Sequence, residues 1–224
     1  MRSKWGGERS LREQSLTERW LCVRMELRVA VCGMALLGGG LGRAMAQEPA
    51  RSVAQGRGQG GIEVAVMYEG ERSLKAGTQQ NFWMQGGSIE LGADAWRGWG
   101  LAVNVTGGHG GSIGSSGVPV SVVTVAFGPR YRFYEGRRVS AYAQGLVGEA
   151  DGFSSVFPTS AGAQVEANGV AGEVGGGLDY GISQRLAVRV VEAMWVRTQL
   201  PNGGDNSQDD VRVSAGLVLR FGRE

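Results

Sequence analysis

"VRVSAGLVLRF", residues 211–221, decides the fold, because its side chains alternate in character. Val211, Val213, Ala215, Leu217, Leu219 and Phe221 are apolar, while Arg212, Ser214, Gly216 and Arg220 are polar or small; Val218 is the one exception. A period of two marks a strand with one apolar and one polar face. A soluble sheet turns its apolar face to a core, whereas a membrane barrel turns it to lipid, so the rest of the chain has to settle which applies.

Seven further segments repeat the pattern. "IEVAVMYE" sets Ile62, Val64, Val66 and Tyr68 against Glu63, Ala65, Met67 and Glu69. In the next, Ile89, Leu91, Ala93 and Ala95 oppose Ser88, Glu90, Gly92 and Asp94, and "WGLAVNVTG" puts Trp99, Leu101, Val103 and Val105 opposite Gly100, Ala102, Asn104 and Thr106. The fourth sets Val123, Val125, Phe127, Tyr131 and Phe133 against Thr124, Ala126, Gly128, Arg130 and Arg132. The fifth, weaker, has Val139, Ala141, Ala143 and Val147 against Ser140, Tyr142 and Gln144. The sixth opposes Val170, Val174, Leu178, Tyr180 and Ile182 to Glu173, Gly175, Gly177 and Asp179. The seventh, "RLAVRVVEAMWVR", breaks phase: with Leu186, Val188, Val190, Met194 and Val196 outward, Glu192 would face lipid. A β-bulge near Val190 and Val191 is expected to turn it into the lumen beside Arg130 or Arg212. No segment shows a sustained helical period with caps, so the chain reads as all-β with an even strand count.

Composition agrees. Forty glycines with only five prolines and no collagen-like triplet suit close-packed, turn-rich β-structure. Residues 1–46 read as a targeting segment. Arg28 forms a short basic region, an apolar run extends from Val29 to Leu41, and Ala44-Met45-Ala46 precedes Gln47 as a secretory cleavage signal, with Met25 a candidate true start. Removing these residues takes eight basic and four acidic side chains from totals of 23 and 21 and leaves 15 against 17, a net charge near −2. No basic footprint for nucleic acid then remains. Both cysteines, Cys22 and Cys32, go too, so no disulfide framework or thiolate chemistry is expected in the exported protein. Residues 47–61 read as a flexible leader and 62–222 as one domain, with no peptidoglycan-binding domain expected after Gly222.

Connection lengths sort by parity. Trp96 to Trp99, Tyr134 to Arg137 and Ile182 to Arg185 are tight turns, whereas 70–81, 107–118, 151–168 and 199–209 read as long polar loops. An up-and-down barrel puts all the short turns at one rim and all the long loops at the other, as outer-membrane barrels do. Trp96, Trp99, Tyr131, Phe133, Tyr180 and Phe221 gather near the short-turn ends, where a lipid-facing barrel places an aromatic girdle. With the apolar faces outward, Glu90, Asp94, Arg130, Arg132, Glu173, Asp179, Arg212 and Arg220 would fill and neutralise the lumen. The expected fold is therefore an eight-stranded antiparallel up-and-down transmembrane β-barrel.

"SAGLVLRF", from Ser214 to the aromatic Phe221, resembles the C-terminal signal that outer-membrane proteins present to their assembly machinery, although Gly222, Arg223 and Glu224 follow it. Together with "GWGLAVNVTG", "FGPRYRF" and "VGGGLDYGISQRLAVRVVEAMWVRT", it makes residues 62–222 resemble the small eight-stranded outer-membrane barrel domains of the OmpA and OmpX kind. The resemblance implies residence in the outer membrane of a diderm bacterium. Outer-membrane lipids, lipopolysaccharide and the assembly machinery would be the partners, and the chain a monomer.

Chemistry-bearing residues are sparse. His109, the single histidine, lies in "GGHGGS" near Ser112, Ser115 and Ser116, and some barrels of this size use His with Ser to modify lipid A. A nucleophile needs a base oriented by a third group, and this glycine-rich stretch offers none, so an exposed loop histidine is expected. Glu90 and Asp94 read as ion-paired lumen filling rather than an acid/base pair. Asp205, Asp209 and Asp210 read as solvated loop charges rather than a calcium site. The glycines of "GEVGGGLDYG" are expected to let the wall curve and to leave room for lumen side chains. No catalytic, cofactor or metal site is expected. The reading is a non-enzymatic outer-membrane barrel, structural or surface-interacting. A soluble periplasmic barrel with a hydrophobic ligand and a lipid-modifying enzyme stand as alternatives.

Overall fold

The computed structural model describes residues 61–75, 82–113, 117–159, 162–202 and 205–222. The expected signal segment 1–46 and nearly all of the 47–61 leader lie outside them. Eight strands follow one another: β1 (Ile62–Lys75), β2 (Trp83–Trp96), β3 (Trp99–Ile113), β4 (Val118–Glu135), β5 (Val139–Thr159), β6 (Gly162–Gly181), β7 (Leu186–Thr198) and β8 (Gln208–Phe221). Each pairs antiparallel with its neighbours in sequence, and β8 returns to β1 to close the barrel. The closing seam runs from Ile62 opposite Phe221, past Arg72 opposite Val211, to Lys75 opposite Asp209, so the stretch at 211–221 forms most of the strand that removes the last free edge.

The faces fall as the alternation requires. Leu217, Phe127 and Leu101 are outward, 55%, 63% and 62% exposed, and the acids and bases of the opposite faces are buried. The outer wall is a nearly continuous apolar surface far larger than a water-soluble monomer presents. Trp96, Trp99, Tyr131, Phe133, Tyr180 and Phe221 ring its short-turn end, and Trp83 and Trp195 turn outward toward the other. Trp99 and Tyr131, opposite each other on β3 and β4, bring their ring centroids to 4.8 Å.

The turn between β2 and β3 is tight for a stated reason. Arg97 (φ 52°) and Gly98 (φ 84°) are both left-handed, the geometry whose twist matches two antiparallel strands. A Cβ at Gly98 would lie 2.5 Å from the Arg132 carbonyl oxygen. At the β6–β7 turn the Ser183 hydroxyl accepts hydrogen bonds from the Arg185 and Leu186 amides, closing the chain without glycine.

Three expectations need correction. The regions read as long loops at 70–81, 107–118 and 151–168 are largely strand: β1 continues to Lys75, β3 to Ile113, and β5 and β6 run on to Thr159 and Gly162. Their polar, glycine-rich composition reflects strands leaving the membrane for water, where the backbone ladder continues although the apolar face stops. On β7 the bulge falls where expected, with the β8 register shifting between Arg189 and Glu192, and it carries Met194 and Val196 inward with Glu192. Finally, the 199–209 stretch, read as loop, gives its last two residues to β8. Asp210 is buried inside the barrel instead of solvated.

Candidate functional site: the barrel lumen

Arginines and carboxylates dominate the lumen toward the short-turn end. Arg130 on β4 donates to Glu63 Oε1 at 2.6 Å, pairs with Glu90, and places Nε and Nη2 at 2.8 and 2.6 Å from Gln144 Oε1. Arg132, two residues on and so on the same face, reaches Glu63 Oε2 at 2.9 Å and Ser140 Oγ at 3.0 Å. Arg189 on β7, fully buried, holds Asp179 at 2.9 Å, Glu90 at 2.5 Å and Glu192 at 3.0 Å. The Tyr142 hydroxyl donates to Glu192, and the guanidiniums of Arg130 and Arg189 lie 4.4 and 4.6 Å from its ring centroid. Arg220 reaches Asp179 Oδ2 at 3.4 Å, toward the β8 end of the network.

A second group lies toward the long-loop end. Arg212 pairs with Glu71 at 2.7 Å and Glu173 at 3.1 Å, and donates to Thr106 Oγ1 at 3.2 Å. Each of these charges is out of bulk water, so the attraction within each pair is offset by the cost of desolvating both partners.

The lumen is not filled by ion pairs alone. Ala102, Ala126, Leu146, Met194 and Val196 pack together, Ala65, Met67, Ala187 and Val218 form a second cluster, and Met84, Val120, Phe157 and Leu200 a third. This third cluster draws on the long-loop ends of β2, β4 and β5 and on the β7–β8 connection, and so caps that mouth. An eight-stranded interior is just wide enough for side chains to fill it, and the inward side chains here are buried.

Glycine placement follows from this filling. Gly177 faces Tyr142, and a Cβ there would sit 2.6 Å from the hydroxyl oxygen. Gly177→Ala is expected to push Tyr142 off Glu192 and lower unfolding stability by about 1–3 kcal/mol, measured as a lower urea midpoint of the refolded barrel.

Each residue weighed from sequence now has a place. Glu90, Arg130, Arg132, Glu173, Asp179 and Arg212 are buried in the lumen, with Asp94 and Arg220 at its partly open short-turn end. Glu192 also faces inward, where its direct partners are Arg189, Tyr142, Gln144 and Ser214; Arg130 is beside it as expected, stacked on the Tyr142 ring and paired with Glu90, but makes no direct ion pair with it. Arg189, the most connected cation, was missed, although Leu186, Val188 and Val190 outward already imply Arg189 inward. Of the loop acids, Asp209 lies 3.8 Å from Arg197, Asp205 accepts from the Ser207 amide, and Asp210 points inward. Among the described residues no acidic or histidine group is arranged to hold a metal. His109 is exposed on the outer face of β3, its Nδ1 2.9 Å from Ser121 Oγ across the β3–β4 pair. Ser115 and Ser116 lie outside the described residues, as does the side chain of Ser112.

A closed up-and-down barrel with an apolar exterior and a charged, filled interior has the fold of the eight-stranded outer-membrane barrels. Solved structures bear this out. The attachment invasion locus protein Ail of Yersinia pestis, solved with the heparin analogue sucrose octasulfate, is similar at 18% identity over 73% of this chain and 99% of its own, with a TM-score of 0.50. Neisserial surface protein A is similar at 12% identity over 75% of this chain and 100% of its own, with a TM-score of 0.55. No protein-family model and no curated protein sequence matches the chain.

Proposed function

We propose that this chain is a non-enzymatic outer-membrane protein whose recognition surface is the rim bearing the long hairpins. The observation that carries this reading is the division of its surfaces. The outer wall is apolar and suited to lipid, and the lumen is packed with ion pairs and capped by Met84, Val120, Phe157 and Leu200. That leaves the extended hairpins, above all β5–β6 with its exposed Val156 and Val165, as the surface open to partners outside the cell. The shared fold with an attachment protein and a surface protein agrees with such a role. Cell fractionation tests it. The protein is expected in the outer-membrane fraction and released only by detergent, whereas recovery in the soluble periplasmic fraction would favour the ligand-carrying alternative.

A second reading rests on one contact. His109 and Ser121 form a base–hydroxyl pair on the outer wall, where a membrane lipid could approach. Ser121 is the only side-chain hydrogen-bond partner of His109 among the described residues, so no third group fixes the imidazole. His109→Ala and Ser121→Ala are accordingly expected to leave the lipid A pattern of expressing cells unchanged. Loss of a modified lipid A species in both variants would instead establish an enzyme.

A further inference from the structure

A cleft of about 380 Å³ opens at the short-turn rim, between the β4–β5 and β6–β7 turns. Three of the side chains lining it are cationic, Arg137, Arg138 and Arg220, against one carboxylate, Glu135. Arg220 is already neutralised from inside by Asp179 and Glu63. Arg137 is exposed and has no ion-pair or hydrogen-bond partner among the described residues. Arg138 has one neutral partner: its Nη1 donates to the outward-facing Tyr180 hydroxyl at 3.2 Å, which draws the guanidinium to the outer wall. The apolar part of the lining is Val139 and Ile182, both outward.

This is a cationic mouth joined to an apolar wall at the level where the aromatic girdle ends. We infer that the cleft binds the phosphate of a phospholipid in the leaflet on the short-turn side. Its acyl chains would lie along Val139 and Ile182, with its phosphate accepting hydrogen bonds from Arg137 and Arg138. A freely diffusing anion would gain nothing from the apolar wall, and that distinguishes the two sources of phosphate. The inference rests on the reading of the outer wall as lipid-facing.

The test uses the full barrel, purified in a phosphate-free detergent and titrated with phosphatidylglycerol, with bound lipid read by native mass spectrometry. An Arg137→Ala/Arg138→Ala double variant is expected to bind about ten-fold or more weakly, the loss of charge-assisted hydrogen bonds. Arg137→Lys/Arg138→Lys should recover part of the binding. Arg97→Ala, on the same rim but stacked over Trp96, should match the wild type. Diacylglycerol should bind no better to the wild type than to the double variant, and inorganic phosphate at equal concentration should not displace the lipid. Equal binding by the wild type and the double variant, an equal loss in Arg97→Ala, or displacement by inorganic phosphate would each overturn the assignment. Heat-modifiable migration on a denaturing gel keeps the two readings apart: a barrel that shows it but fails these arms refutes the cleft alone, while a wild type that lacks it refutes the lipid-facing wall.

Discussion

Arg189→Ala is expected to destabilise the barrel by about 3–5 kcal/mol, because removing one member of a buried ionic network leaves a buried carboxylate without its cation. Arg189 is fully buried and contacts Asp179, Glu90 and Glu192, from β6, β2 and β7. Arg130 still serves Glu90, and Arg132 and Arg220 still serve Asp179, but Glu192 keeps only neutral donors in direct contact. A lower urea midpoint and loss of heat-modifiable migration at a lower temperature would report this. Replacing the pair as a unit, Arg189→Met with Glu192→Gln, should recover most of the loss, since neutral side chains of similar volume do not need the pairing, and Glu90 keeps its Arg130 partner. A single variant as stable as the wild type would mean that water reaches the network freely.

The second large effect is on the opposite face. Leu217 lies outward on β8, four residues before Phe221, opposite Val66 on one side and Val188 on the other. Leu217→Arg is expected to cost about 2–4 kcal/mol in a bilayer, the penalty for a cation near the midplane of a barrel wall. In a soluble barrel the same change at a 55% exposed position would be close to neutral. Equilibrium unfolding of the variant in lipid vesicles, against Gln184→Arg in an exposed turn, measures the difference.

Much of this was legible in the sequence because the alternation has one period and one consequence. Where apolar residues recur at every second position, as at 62–69, 88–95 and 211–221, the inward and outward sets follow directly in spite of inward Met67 and Val218, and with them most of the lumen charges. The bulge on β7 was legible for the same reason, since only a slip of phase spares Glu192 from lipid. The strand ends were not. Beyond the membrane both faces of a hairpin meet water, the apolar stripe disappears, and residues such as Gln164 and Glu166 look like loop although they pair with Phe157 and Phe153. The pairing of particular ions was not legible either. Glu192 meets Arg189 because of barrel curvature and side-chain reach, neither of which periodicity encodes. The apolar share of the lumen was legible only in part: Ala65, Met67, Ala102 and Ala126 fall on the inward faces read from sequence, but inward Leu146 sits in the weakest segment, and Met194 and Val196 change face only with the bulge.

Contact between the apolar outer wall and lipid can be measured directly. Residues 47–224 contain no cysteine, so single cysteines can be placed at will. Spin labels at Leu217→Cys and Val125→Cys, with Gln184→Cys as the aqueous reference, would be examined by electron paramagnetic resonance in vesicles for collision with oxygen and with a water-soluble nickel complex. The labels at 217 and 125 are expected to collide mainly with oxygen and the label at 184 mainly with nickel. Labels at 217 and 125 that are shielded from both, or that respond chiefly to nickel, would contradict a lipid-facing wall.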